Sequence, residues 1–299
     1  MTWSTALAAR ARSFLGGHCS PTTIHASAVP HGAEAAIQVR ILSDAITAPG
    51  SVPAGRVVIE VSTDRPVSGV GLARLTSGAT TEDLRAGLVG VTAADPGSVR
   101  AGAERLQGID LLGGVLVRNG AQATFDQHLE EGHYELFDYT DITTASRPTR
   151  GALTVGPPCA RSRTNPPDIT LTSIDADVGP RFVVDGKLRA SEPVRVINKL
   201  AAQPSEAVFF PAFSDTSESR LAGWFGQFHG SAPPPKPPID LTAGIGSMPL
   251  SSRLDSTVMA PGRPGRYVIA SMLNDFAEGR RMAGKGQYLV VEVLPSHSR

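Results

Sequence analysis

Apolar positions between residues 36 and 294 fall in short β-branched runs, broken by Gly and Pro before any run reaches helical length. AIQVRIL (36–42), a connection through Pro49, Gly50 and Pro53, and GRVVIEVSTD (55–64) predict strand, turn and strand. The alternation is imperfect, and β-branched enrichment favours strand. GVGLARL (69–75) predicts the next strand. In TTEDLRAGL, Thr80 or Thr81 followed by Glu82 and Asp83 predicts the start of a short helix. Asn119-Gly120, between GGVLVR and AQATFDQHL, predicts a tight hairpin, because both residues tolerate positive φ.

The pattern then repeats. ITLTSIDAD (169–177) and EPVRVINKL (192–200) match the opening strands, SEAVFFPAF (205–213) matches SGVGLARL (68–75), and GRYVIAS (265–271) matches GHYELFD (132–138). The offset is 137 from Ser68 to Ser205 and 133 from Gly132 to Gly265, a near-constant spacing that predicts tandem duplication. The expected organisation is an N-terminal extension with a short helix (1–35), a first domain (36–155), a Pro-rich linker (156–165) and a second domain (166–296).

Composition narrows the partners. Basic and acidic residues balance at 28 each, so no net positive field draws the chain to nucleic acid or an anionic membrane. No run approaches the roughly 18 apolar residues of a membrane helix. Arg10 and Arg12 interrupt what would be the apolar part of an export signal, so a cytoplasmic protein is expected, or an exported one if the precursor starts elsewhere. Trp3, Leu7, Phe14 and Leu15 suit a short amphipathic helix docked on the chain itself. Cys19 and Cys159 are too few for a disulfide framework; two reduced thiols are expected, with one staple as the alternative.

VPAGRVVIEV, SGVGLARL, the short helix and EEGHYELFDY resemble the cupredoxin-like domains common in high-GC bacteria. QPSEAVFF and PGRYVIAS…AGKGQYLVVEV carry the same likeness in the second copy. The resemblance spans roughly 36–155 and 166–294. It implies an all-β fold of two antiparallel Greek-key sandwiches with short helical insertions, and in copper members a site of His, Cys, His and Met. Aligned on those motifs, the ligand positions fall on Ser205, Ser271, Met282 and Gln287 in the second copy, and on Ser68, Asp138, Arg147 and Ala152 in the first. No Cys lies in 69–158 or 160–299, so the thiolate is missing in any register. A metal-free protein without a cofactor is expected.

Other chemistry is sparse. His18, Cys19, His25 and His31 are spaced too widely for a zinc site and predict an exposed tail. His128 and His133, near Glu130 and Glu131, are candidate bases, with a solvated strand face as the simpler reading. No nucleophile elbow, phosphate loop or zinc-protease motif occurs. Phe209, Phe210, Trp224, Phe225 and Phe228 form the candidate binding group, with Leu221, Trp224, Phe225 and Phe228 on one face of a helix begun at Ser217 or Ser219. Capping of a sandwich core is the alternative. PPPKPP (233–238) predicts an extended spacer. The expected role is non-enzymatic: binding a protein partner, self-association, or structure. The alternative is an aromatic pocket for a small hydrophobic molecule, with Ser205, Ser271 or His229 as polar groups within it.

Overall fold

The computed structural model describes residues 35–76, 78–143, 148–158, 166–228 and 234–297; the His18–His31 tract, Cys19, Cys159, Arg147 and His229 lie outside them. The first half runs β1 (Ala35–Ile41), β2 (Ile46–Thr47), β3 (Ser51–Pro53), β4 (Gly55–Thr63), β5 (Val67–Leu75), α1 (Thr81–Val91) and α2 (Pro96–Arg105). It continues through β6 (Ile109–Arg118), β7 (Gln122–Leu129), β8 (Gly132–Asp138), α3 (Tyr139–Ile142) and β9 (Arg150–Gly156). The second half runs β10 (Ile169–Ala176), β11 (Gly179–Asp185), β12 (Pro193–Asn198), β13 (Val208–Pro211), α4 (Glu218–Gly226), β14 (Ile245–Gly246), β15 (Asp255–Met259), β16 (Gly265–Ala270) and β17 (Tyr288–Val293). No helix among the described residues is long and apolar enough to cross a membrane.

The strands form three sheets. One has eight strands in the order β11-β10-β12-β15-β7-β4-β1-β2 and runs through both halves; the others are β3-β9-β8-β5-β6 and β14-β13-β16-β17. The expected β-sandwich architecture is present, with mixed rather than wholly antiparallel sheets: β1 pairs β4, β10 pairs β12 and β3 pairs β9 in parallel. Alternation sorts each strand's side chains by layer. Val57, Ile59 and Val61 of β4 meet Val70 and Leu72 of β5 in a core that continues into Leu171, Val194, Val196, Phe209 and Ile269 of the second half. The opposite faces of the smaller sheets are covered by helices. Phe137 and Ala73 pack under Leu84, Leu88 and Val91 of α1, while Phe210 and Val268 pack under Leu221, Trp224 and Phe225 of α4.

The helix starts follow from local chemistry. Thr80 caps α1 in a reciprocal box with Asp83, Asp95 caps α2 with Pro96 in its first turn, and Ser217 caps α4. The Asn119-Gly120 turn is there, but the strands it joins do not pair as a hairpin. β6 goes to β5 and β7 goes to β4 and β15, so the turn carries the chain from one sheet to the other. The runs flanking the 271–287 loop do pair, from Gly265↔Val293 to Ala270↔Tyr288. In the Pro-rich loop, Lys236 has φ 54°, which breaks the expected extended spacer.

Backbone pairing joins the halves along one seam. β7 and β15 pair antiparallel through Asp126↔Thr257 and Phe125↔Val258. Beside them, the bulged part of β6 reaches the 247–251 segment: Gly113 N donates to Pro249 O at 3.1 Å, Met248 N to Gly114 O at 3.2 Å, and Leu111 N to Ser251 Oγ at 2.9 Å. Gly114 (φ 143°) lets this part of β6 pass close against β5, since a Cβ there would lie 1.9 Å from Val70 O. Gly246 (φ 140°) does the same in the second half, where a Cβ would lie 2.1 Å from Ala207 O. Gly114→Ala is expected to lower the unfolding free energy by about 2–4 kcal/mol, against about 1 for Gly120→Ala, whose Cβ would meet nothing within 4 Å. Urea midpoints of the two variants check this; equal shifts would refute the close-approach account.

Candidate functional site

The positions aligned with copper ligands in the second half are brought together. Ser205, just before β13, is buried and accepts a 2.7 Å hydrogen bond from Gln287 Nε2; it also shares one of 2.7 Å with Ser173 Oγ. Ser271, at the end of β16, donates its N–H to Gln287 O, and Gln287 N donates to Met282 O. Met282 packs with Leu200 and Leu273, with Tyr139 of the first half against the same cluster. Ser271 Oγ and Gln287 Oε1 are buried without a protein hydrogen-bond partner.

In the first half the grouping is partial. Ser68 and Asp138 come together, with Ser68 Oγ 3.0 Å from Thr63 Oγ1 and Asp138 Oδ1 accepting from Gly69 N at 3.1 Å. Ala152 does not join them: it lies exposed on β9, opposite Glu135. The residue just before β9, Thr149, stands there instead. Arg65 organises the cluster, donating to Asp138 Oδ2 at 3.0 Å, Thr149 Oγ1 at 2.5 Å and the carbonyls of Leu42 and Ser43, and pairing with Asp141 at 3.1 Å. At Asp141 burial works upward, but Thr149 and Arg65 outweigh it and hold the carboxyl below its ordinary value. Nothing in the sequence pattern marked Arg65, which lies in a loop and gains its role only when β4, β5 and β8 close around it.

These residues do not fit copper. The first position holds a carboxylate already paired with a guanidinium, and the second offers hydroxyls, a carboxamide and one thioether, with neither imidazole nor thiolate. Among the described residues no group of three or more His, Cys, Asp or Glu side chains could hold a metal ion.

Beside Ser205 lies a group the sequence reading passed over. Glu206 is buried, accepts from Met272 N at 2.8 Å, and shares its surroundings with Arg281 and Tyr139. Burial pushes its carboxyl up to about 7, against the Met272 N–H and the Arg281 charge. Burial, reinforced by Glu206, also pushes the Tyr139 phenol upward.

The candidate aromatic group divides. Phe209 points into the shared sandwich core on one face of its sheet; Phe210, Trp224, Phe225 and Phe228 pack on the other. Trp224 makes edge contacts with Phe225 and Phe228 at 5.1 and 5.3 Å, and its Nε1 donates to Pro234 O. All five are buried, so they serve as core rather than as one binding surface. His128 on β7 and His133 on β8 are both exposed and lie in different sheets, so they are not brought together as one site.

An open cleft of about 840 Å³ lies between the halves, next to Pro204 and Met282. One wall is the end of α2 and the start of β6; the other is the 201–204 loop and the 275–277 segment. The walls are tied together. Asn274 Nδ2 donates to Val91 O at the end of α1 and to Ala93 O just past it, and the buried Gln203 side chain bonds Pro204 O, Asn274 O and Phe276 N. Ala202 sits at the lip with φ 50°, an uncommon conformation for a residue with a Cβ.

No family model matches the chain, and no curated protein does. Among solved structures it is similar to the blue copper protein auracyanin A of Chloroflexus aurantiacus, at 13% identity and TM-score 0.28 over 40% of this chain and 99% of that one. It is also similar to a multicopper oxidase, at 13% identity and TM-score 0.24 over 90% and 92%. A copper nitrite reductase from Nitrosomonas europaea matches at 11% identity and TM-score 0.24 over 87% and 93%.

A carboxyl raised from 4.5 to about 7 on folding binds its proton more tightly in the native state. Glu206 therefore disfavours folding increasingly as pH rises from about 4.5 through 7, by on the order of 3 kcal/mol at pH 8. Glu206→Gln is expected to stabilise the protein at pH 8 and to lose most of that gain by pH 5, as read from urea unfolding at the two pH values. A pH-independent effect would refute the assignment.

Proposed function

We propose that this chain is a metal-free, non-catalytic binding protein built from two tandem cupredoxin-like sandwiches, and that the cleft between the halves is its recognition surface. The observation that carries the metal-free reading is the Arg65 guanidinium bonded to Asp138, Asp141 and Thr149 at the first aligned metal position. The guanidinium occupies the carboxylate oxygens a cation would need, and removing one partner would leave a buried charge unpaired. Copper is thus replaced by a structural ion pair in one half and by a hydroxyl and carboxamide cluster in the other. Support for the tandem build comes from repeated devices: Gly114 and Gly246 approach equivalent carbonyls, and each site is closed by one carboxylate that accepts a backbone N–H.

The cleft favours recognition of a ligand over a purely structural role. Its volume falls in the few-hundred to thousand Å³ range of small-molecule sites, and its walls are held by hydrogen bonds that need no rearrangement on binding. The aromatic group, taken up by packing, leaves the cleft as the better place for the small-molecule reading.

Equilibrium dialysis of the full chain against Cu(II), and against Cu(I) under reducing conditions, followed by elemental analysis, is expected to leave copper well below one equivalent with no visible thiolate band. One tightly held equivalent that survives desalting would overturn the metal-free reading.

A further inference from the structure

The Asn119-Gly120 turn holds chemistry that its role as a connection does not use. The backbone N–H one residue past an asparagine can reach the side-chain amide carbon and close a five-membered ring. How readily it does so depends on the residue that follows and on what holds the amide. The chain has four asparagines. Asn165 precedes Pro166, whose nitrogen carries no hydrogen to give up. Asn198 and Asn274 are buried, and each amide is gripped twice. Asn198 Nδ2 donates to Gln203 O at 2.8 Å and to Leu250 O at 2.9 Å, while its Oδ1 accepts from Leu200 N. Asn274 Nδ2 donates to Val91 O and Ala93 O.

Asn119 has none of this protection. It is exposed between β6 and β7, and among the described residues its amide is tied by one long bond, 3.3 Å to Asp64 O. Gly120 beside it is exposed as well. A Cβ there would meet nothing within 4 Å, so the approach to its nitrogen is open, and glycine brings no side chain to close it. The backbone around the turn is engaged on either side: Asn119 N donates to Pro66 O at 3.4 Å, and Ala121 N to Arg118 O at 3.0 Å. The Gly120 N–H between them makes no hydrogen bond among the described residues.

From this contrast we infer that Asn119 is a modification site, the place where the chain deamidates spontaneously with Gly120 N as the internal nucleophile. Gly120 N attacks Asn119 Cγ and forms a new C–N bond. Nδ2 leaves as ammonia, taking the proton that Gly120 N gives up, and a cyclic imide remains. One water then opens the ring without any change of oxidation state. Added at Cγ, it breaks the new bond and yields aspartate. Added at the main-chain carbonyl carbon, it breaks the original peptide bond and yields isoaspartate, with the chain now running through Cγ. Either product gives the turn a carboxylate and replaces the donor that met Asp64 O by an acceptor. Isoaspartate also adds one carbon to the main chain where it passes from one sheet to the other.

The test incubates the full chain at pH 6 and pH 9 and follows it by ion-exchange chromatography and peptide mapping. An acidic species one mass unit heavier is expected, with the gain at Asn119 before any at Asn165, Asn198 or Asn274. It should form several times faster at pH 9, because loss of the Gly120 proton starts the attack. In heavy-oxygen water the gain should be three mass units, which identifies solvent as the source of the new oxygen. Asn119→Gln, which would have to close a larger ring, should lack the acidic species, and Gly120→Ala should form it several times more slowly. Asn119→Asp should elute from the start with one of the two products. An Asn119 that stays intact, conversion that begins at Asn198 or Asn274, a rate indifferent to pH or to Gly120→Ala, or an acidic species that persists in Asn119→Gln would overturn the inference.

Discussion

The antiparallel pairing of β7 with β15 is the constraint on which the rest of the molecule depends. Two residue pairs, Phe125↔Val258 and Asp126↔Thr257, turn two four-stranded layers into one eight-stranded sheet. Once that sheet is continuous, the apolar faces beneath it form one core that includes Val61 of the first half and Ile269 of the second. The hydrophobic gain of each half then depends on the other being in place, because Phe125 and Val258 are buried against residues of both. The cleft is a product of the same join. Its two walls belong to different halves, and their spacing is set by the seam.

Each half closes its sandwich by a buried polar device where the resemblance placed a metal, and the two devices are variations on one geometry. In the first, Asp138 at the end of β8 reaches back to the N–H of Gly69 on β5. In the second, Glu206 beside β13 reaches across to the N–H of Met272 after β16. The carboxylate has changed strand, yet it bridges the same two strand ends. The difference lies in what neutralises it: Asp138 has Arg65 in direct contact at 3.0 Å, whereas burial dominates at Glu206 and raises its carboxyl towards 7. One half is closed by an ion pair, the other by a group that titrates near neutrality.

Much of this was legible in the sequence, for identifiable reasons. Strand positions followed β-branched runs, and the starts of α1 and α4 followed from Thr80 and Ser217, because both signals are local. The approach of Ser205, Ser271, Met282 and Gln287 was also readable, since they sit next to strands that the β-branched runs mark. Long-range choices were not. Asn119-Gly120 encodes a turn but not whether its flanking strands pair, and here they enter different sheets. Ala152 was displaced from its expected neighbours because the first half's last loop is shorter, which brings Thr149 to the place before β9 that Gln287 holds before β17. Phe209 and Phe210 are adjacent in sequence and therefore on opposite faces of a strand, a separation that a count of clustered aromatics conceals.

Joining sandwiches edge to edge raises the question of why growth stops at two. A sheet that accepts one neighbour through an open strand offers the same backbone groups to the next molecule, and a crowded solution would turn that into fibres. The two outer strands answer this differently. β2 is only two residues long and gives a newcomer little to pair with. β11 is longer, but Pro180 lacks an N–H, and the Arg181 guanidinium is already committed to the carbonyls of Pro180, Val178 and Lys285. The pair of sandwiches is thus a terminated polymer, blunted at one end by brevity and at the other by a proline and a tethered arginine.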